Sequence, residues 1–447
     1  MEAEGHAPDC ARVTRLLSAL VRIPTPNDPV RGVKPGMKEA AAIASAIRGE
    51  TGDEYQILEG PAPVLIRVAG SGRPVTLFLA HYDVVPPGPG WTVDPYSGLV
   101  REGALYGRGA ADDKSNVAAI SVALSGYRPP RGTIVVAFTG DEETGGRSAK
   151  WLASWLEKEN LWPDHLVNGD GVLERIIVRR RNAFSARVTV RAGREEARGE
   201  RVEQEFKTRF LVRKTMHSAY FVPSVDTHSL VAASLWVRDN EVLVSELSGE
   251  WVKGNVVPRT ASIAGVAPGE GDLHSYDPGL TSIVWSIVPL VRAPVETELY
   301  SDYGVSINPN VYTLSGGEHT LHLDIRAMSM SKDRIEDTLK SVLDATIGPG
   351  KYELRVSGGG GYLYTDPDTG LIRTAREVAR RLGLPDRLVE AAGASDSRHF
   401  SPRGVKAFDY GPLGYNIHGP DEHVIISSLC RTTLFYRTLA GALHEQA

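Results

Sequence analysis

Five short clusters of histidine and acid, set at the ends of apolar runs or in glycine turns, limit what this chain can fold into. The first, His81-Tyr82-Asp83, closes the apolar run Val75-Thr76-Leu77-Phe78-Leu79-Ala80. It is followed in order by Gly107-Arg108-Gly109-Ala110-Ala111-Asp112-Asp113-Lys114, by Thr139-Gly140-Asp141-Glu142-Glu143-Thr144-Gly145-Gly146 and by Asn168-Gly169-Asp170-Gly171. The fifth, Ile417-His418-Gly419-Pro420-Asp421-Glu422, lies near the C-terminus. Apolar runs of this kind suit strands buried on both faces of a parallel sheet. Ligands in open α/β sheets collect where such strands end. His81, Glu142 with Glu143, and Asp170 each follow a different run, so three strand ends can present donors to one site. Imidazole and carboxylate are suitable ligands for zinc and similar divalent ions.

The intervening segments read as helices. Val13–Val21 is amphipathic, 38–47 is rich in Ala, and 116–124 and 150–158 follow the runs at 76–80 and 133–138. This alternation predicts an α/β fold: a mostly parallel sheet covered by helices. From Ala186 the texture changes. The segment 194–207 is densely charged with mixed signs and reads as a solvated helix or arm. Helices are expected over 227–237 and 334–343, with a strand over 320–325. Gly358-Gly359-Gly360-Gly361 breaks the pattern, and 371–382 reads as a further helix. The chain is too long for one ordinary core. We expect residues 1–181 and 361–447 to form one α/β domain, with 182–360 inserted as an α+β domain.

Composition excludes several classes. A formal net charge of −5 gives no reason to expect a nucleic-acid partner. The N-terminus, Met1-Glu2-Ala3-Glu4-Gly5-His6, lacks the features of a secretory signal. The longest apolar stretch, around 282–291, contains Pro289 and is too short to span a bilayer. Cys10 and Cys430 are the only cysteines, so no disulfide framework is expected and a reducing, cytoplasmic compartment fits.

Each cluster alone has an ordinary explanation. Asp112 stands before a helix and could cap it. Glu142-Glu143 could be a solvated turn, Asp170 a turn acid between glycines, and His418 an exposed loop residue. Together they supply ligands for two metal ions and one spare carboxylate beside a ligand. A carboxylate next to a ligating histidine, as Asp83 is to His81, can also fix the imidazole tautomer. His319 and His322 alternate across a strand, which argues against a shared metal. Arg179-Arg180-Arg181 reads as a solvated or hinge segment.

From Leu20-Val21-Arg22-Ile23-Pro24-Thr25 to His418-Gly419-Pro420-Asp421-Glu422, the chain resembles the M20 family of metallopeptidases and deacylases. The family includes acetylornithine deacetylase, succinyl-diaminopimelate desuccinylase, carboxypeptidase G2-like enzymes and dipeptidases. The resemblance implies that His81 and Asp170 hold one metal, Glu143 and His418 the other, and that Asp112 bridges them. Asp83 would orient His81, and Glu142 would act as general base and acid. A cis peptide is implied between Asp112 and Asp113. Lys214-Thr215-Met216-His217-Ser218-Ala219, with Pro223, resembles the segment that supplies an oxyanion donor from a partner subunit, which makes His217 the candidate. Ala394-Ser395-Asp396-Ser397-Arg398 resembles a substrate-carboxylate segment, giving Ser395 and Arg398. The family asparagine before Asp324-Ile325-Arg326 is assigned to Asn310 in preference to Asn255. The stretch 261–298 is longer than in compact members.

The resemblance implies a homodimeric amidohydrolase whose di-metal catalytic domain is 1–181 with 361–447 and whose dimerisation or lid domain is 182–360, holding two divalent ions, zinc first, with cobalt or manganese also suited. It would cleave a small N-acyl amino acid carrying a free carboxylate, by metal-activated water with Glu142 as base. A dipeptidase or carboxypeptidase with the same machinery is the alternative, and a non-catalytic metal-binding scaffold is an alternative of another class.

Overall fold

The computed structural model describes residues 7–211, 216–222, 225–297 and 305–445. Met1–His6, Lys214, Thr215, Pro223 and Glu298, which carried some of the sequence readings, lie outside the described residues. The chain divides into two compact units, Met1–Arg180 with Tyr362–Ala447 and Arg181–Gly361. It leaves the first unit at the end of the arginine run and returns just past the glycine run.

The first unit is an α/β fold. Its central strand, Val75–His81, runs parallel to Gly132–Thr139 on one side and to His165–Asn168 on the other. Lys406–Asp409 extends this parallel set beside His165–Asn168. Antiparallel strands flank it: Val64–Ser71 on one side and Ile176–Arg180 on the other. The parallel strands read as continuous apolar runs because both faces are covered. Phe78 and Ala80 join a core with Val13–Val21, Val117–Leu124 and Leu429–Leu443, while Leu77 and Leu79 join Leu152 and Leu156 of the helix Arg147–Lys158. Each such fully buried side chain contributes about 1.5–3 kcal/mol. A small sheet of Leu99–Arg101, Ala104–Tyr106, Gly414–Tyr415 and His423–Ile425 stands apart from the main one.

The second unit holds two antiparallel sheets. One is ordered Ser306–Ser315, Glu318–Ala327, Asn182–Arg191 and Glu353–Gly358. Helices Ser229–Asp239, Pro278–Val291 and Lys332–Thr346 contribute to the core along its inner face. The second sheet contains Leu243–Gly249, Thr260–Pro268, Glu195–Lys207 and Asp272–Tyr276. The charged segment is therefore a strand of 13 residues, not a helix. Its propensity gave no strand signal; pairing with Thr260–Pro268 and Asp272–Tyr276 decides the matter. The long stretch from Ala261 supplies two of these strands and the apolar helix Pro278–Val291. Among the described residues no helix is long and apolar enough to cross a membrane.

The cysteines correct the expectation of two unconnected thiols. Cys10, in the helix Ala7–Val21, and Cys430, in Ile426–Glu445, form a disulfide with Cα atoms 4.8 Å apart across a sequence separation of 420. The two helices share one core, and Arg437 pairs with Asp9 at 3.3 Å beside the bond. That proximity is tertiary and leaves no trace in local sequence. A cross-link closing so long a loop restricts the unfolded chain, typically by about 2–4 kcal/mol. Reductant should lower the calorimetric unfolding midpoint of the wild-type protein by several degrees. Cys10→Ser should start from the lower midpoint and ignore reductant; equal midpoints in all states would contradict a stabilising cross-link.

Candidate metal centre

The central strand delivers His81 at its carboxyl end, with a side chain only 2% exposed. Nδ1 of His81 lies 3.1 Å from the Asp83 carbonyl and 3.3 Å from its carboxylate. Nε2 lies 3.0 Å from Oδ1 of Asp112. Asp83 does more than orient this ring. Its carboxylate also accepts the backbone N–H groups of Glu142 and Glu143 at 3.1 and 3.2 Å and the Asn27 amide at 3.0 Å. One buried carboxylate thus fixes the histidine and the acidic turn together.

Asp112 sits in a loop wrapped around a second buried carboxylate. Oε1 of Glu422 accepts N–H groups from Gly109, Ala111 and Asp112 at 3.1, 2.8 and 3.0 Å, and Arg108 donates to Oε2. The Asp112–Asp113 peptide is cis. Asp113 turns inward, accepting from the His81 N–H and from Asn116. Lys114 donates to the carbonyls of Leu20 and Ile23. Its ammonium is buried, which lowers its pKa to about 7.

The remaining donors come from turns after other strands. Glu142 and Glu143 begin a short 3-10 turn after Gly132–Thr139, and Asp170 follows His165–Asn168. Nε2 of His418 lies 3.1 Å from Glu143 and 3.3 Å from Oδ2 of Asp112. Asp112 therefore offers one oxygen toward each histidine. Donor atoms of His81, Glu142 and Asp170 lie within 4.8 Å of one another, and so do those of Asp112, Glu143 and His418. The structure brings together all five residues expected as ligands, with Glu142 beside the first pair.

Electrostatics explain why these groups need a cation. Burial raises the carboxyls of Glu142 and Asp170, takes Glu143 up to about 7 and Asp113 up to about 8. Burial would also raise Asp112, but its contacts with His418 and His81 hold it below the usual carboxylate range. In return, Asp112 and Glu143 lift His418 to about 10 against the effect of burial. The imidazoles thus perform the neutralising task that divalent ions would perform. Two donor trios of carboxylate and imidazole, converging with excess acid, fit two such ions.

Arg180 was read as solvated, and the structure corrects this. It is buried, donates to Asp409 at 2.5 Å and to the carbonyl of Asp170, and lies 3.4 Å from the Asp170 carboxylate. Asp409 also accepts from Ser397 at 2.6 Å. The network continues to Arg398, whose Nη1 lies 3.4 Å from Oε1 of Glu142. Gly146 passes so close to this turn, at φ +60°, that an added Cβ would collide with the Asp396 carboxylate. Ser395 is buried there, and its Oγ has no hydrogen-bond partner among the described residues. The sequence signal for Arg180 was an arginine at the end of an apolar strand, ten positions after a candidate ligand.

In the second unit, His217 accepts from the Ala219 N–H, and its Nε2 lies 3.2 Å from the Asn255 amide. Asn310 is wholly buried, donates to the Gly254 carbonyl at 2.6 Å and faces His228. Its amide is committed inside the unit, and Asn255 is the asparagine that lies against His217. Arg326, given no role from sequence, is held by Asp324 through bonds of 3.0 and 3.1 Å, and Ser218 donates to the same carboxylate. His319 pairs with Asp277 at 2.9 Å and shares no side-chain partner with His322 among the described residues.

The model of the family described as peptidase family M20/M25/M40 matches residues 77–442. A succinyl-diaminopimelate desuccinylase from Xanthomonas euvesicatoria is 28% identical over 90% of this chain and 93% of its own. One from Sulfurimonas denitrificans is 24% identical over 77% and 78%. Among solved structures, the aminoacylhistidine dipeptidase from Vibrio alginolyticus superposes with a TM-score of 0.71 at 16% identity, over 97% of this chain and 96% of its own. An M20 family metallo-carboxypeptidase from Sulfolobus solfataricus gives 0.60 at 16% identity, over 100% of both chains.

Metal analysis after equilibrium dialysis checks the ligand assignment. Glu143→Ala should keep one tightly held ion of two, whereas Asp112→Ala should weaken both. Arg180→Leu should lower metal affinity by about 10–100-fold through the loss of its hold on Asp170. Unchanged metal content in Asp112→Ala would contradict the bridging geometry.

Proposed function

The chain belongs to peptidase family M20/M25/M40, a hydrolase acting on amide or peptide bonds, and from that premise we propose that it deacylates a small N-acyl amino acid. The observation that carries the mechanism is the place of Glu142: a buried carboxyl beside the His81 and Asp170 donors, held at its backbone by Asp83. Held by His81, Asp170 and Asp112 and by Glu143, His418 and Asp112, two divalent ions would supply Lewis-acid activation of water and of the amide carbonyl. Glu142 takes a proton from the attacking water and returns it to the leaving amine. Asp83 keeps His81 in one tautomer and fixes the Glu142 turn. Arg398 faces Glu142 and offers a guanidinium for the substrate carboxylate. His217, whose Nδ1 accepts the Ala219 N–H, carries its proton on Nε2 beside Asn255 and donates it to the developing oxyanion from a partner subunit of a homodimer.

Deacylation is favoured over peptide cleavage by the relatives that match most of the chain, which are named as desuccinylases. The dipeptidase and carboxypeptidase structures share the fold at low identity, and the same residues would serve a dipeptide. A panel of N-acetyl and N-succinyl amino acids and dipeptides, assayed by amine release with and without chelator, separates these readings. Metal-dependent cleavage of an acylated compound in preference to dipeptides is expected; the reverse preference would replace the deacylase reading.

Glu142→Ala should keep both ions and its fold while turnover falls by about 10²–10⁴-fold. Wild-type turnover in that variant would sink the mechanism. His217→Ala should lower kcat by about 10²–10³-fold with metal content unchanged. Loss of metal from it would mean that the residue acts elsewhere.

A further inference from the structure

The main sheet of the second unit has one apolar face and one polar face. Along Asn182–Arg191, Phe184, Ala186, Val188 and Val190 enter the core, while Ser185 and Arg187 are exposed between them. The register sets Arg187 directly opposite His322 on one neighbour and opposite Arg355 on the other. Hydroxyl pairs border this row: Thr189 with Thr320 at 3.2 Å, and Ser185 with Ser357 at 2.9 Å. Like charges directly opposite across an antiparallel pair are destabilising. Arg355 has its own partner in Glu353, 2.7 Å away. The side chains of Arg187 and His322 form no hydrogen bond or ion pair among the described residues.

A cavity of about 450 Å³ opens on this row. Arg187, His322, Lys253 and Asn255 line it. Its one acidic lining residue, Asp324, is already engaged by Arg326 and Ser218. Burial and the neighbouring Arg187 charge hold the His322 imidazole below its ordinary value, a sign that the positive potential on this face is uncompensated. A guanidinium beside a ring N–H and an ammonium forms a donor set for a carboxylate, and Arg matches that group through two parallel bonds. The cavity has the volume of a small-molecule pocket.

We propose that Arg187, His322 and Lys253 bind a second carboxylate of the substrate, at the far end of a dicarboxylic acyl group. The inference rests on the deacylase reading, because Asn255 both lines the cavity and bonds to His217. An acyl carbonyl that reaches His217 therefore has its chain beside this cavity. Selection would then favour an acyl group with a terminal carboxylate over an acetyl group. Arg187, His322 and Lys253 would be specificity residues, apart from the bond-breaking machinery.

The test pairs binding with kinetics on the metal-loaded, full-length protein. Succinate is titrated calorimetrically, with acetate as the probe that reaches the metals but lacks a second carboxylate. Arg187→Ala should weaken succinate by about 10–100-fold and leave acetate unchanged. Arg187→Lys should recover part of the loss, which guards against a folding defect. In turnover, the ratio of kcat/KM for an N-succinyl amino acid over its N-acetyl counterpart should fall by about 10-fold or more in Arg187→Ala. Unchanged succinate affinity, or an equal fall on both substrates, would overturn the proposal. The titration is scored without turnover. Absence of cleavage across the panel would therefore count against the deacylase reading alone, while Arg187-dependent succinate binding would still support the anion site.

Discussion

Buried carboxylates govern the first unit. Asp83, Asp113, Glu142, Glu143, Asp170, Asp409 and Glu422 are all withdrawn from most solvent near the carboxyl edge of one sheet. Two like charges about 4 Å apart cost roughly 4 kcal/mol at an effective dielectric near 20, before desolvation. The fold meets this with dedicated donors. Glu422 takes three backbone N–H groups and Arg108; Asp83 takes two N–H groups and Asn27; Asp409 takes Arg180, Ser397 and Asn168. Glu142, Glu143 and Asp170 receive fewer, and burial lifts all three, as it also lifts Asp113 and Glu422. These three, unlike Asp113 and Glu422, converge on the two donor trios. The deficit of positive charge and the capacity to bind cations are one property.

The insertion explains where the dedicated donors come from. The first unit is made of two stretches of chain separated by the whole second unit. Several of the pairs that complete the site join one stretch to the other: Arg108 with Glu422, His418 with Glu143, Arg180 with Asp409, Arg398 with Glu142. The Cys10–Cys430 disulfide joins them covalently at the opposite ends of the sequence. The metal centre therefore cannot assemble from either stretch alone.

Motif spacing made the α/β class and the His–acid clusters readable, because strand ends and ligand types leave local marks. His81, Glu142 and Asp170 each follow an apolar run, and the runs are buried strands. What escaped was decided by pairing at a distance. Glu195–Lys207 has the composition of a solvated helix and becomes a strand through its two neighbours. Arg180 looks like a surface arginine until Asp409, 229 positions later, is placed against it. Asn255 and Asn310 sit in similar local sequence, and only the fold shows which amide is already committed.

The arginines allow a comparison of chemistry with specificity. Arg108, Arg180 and Arg326 are each committed to a carboxylate of the chain itself, so removing any of them strands a buried charge. Arg187 is bound by no such obligation. It stands on an exposed strand position, with the alternation of Asn182–Arg191 sending its neighbours, not itself, into the core. Exchange there disturbs neither the carboxylate balance of the metal centre nor the packing beneath the sheet. The centre that breaks the bond is thereby locked by mutual neutralisation, while the face bearing Arg187 can change its charge at little structural cost. On the proposed reading, a hydrolase built this way could alter its choice of acyl group without touching the residues assigned to the reaction.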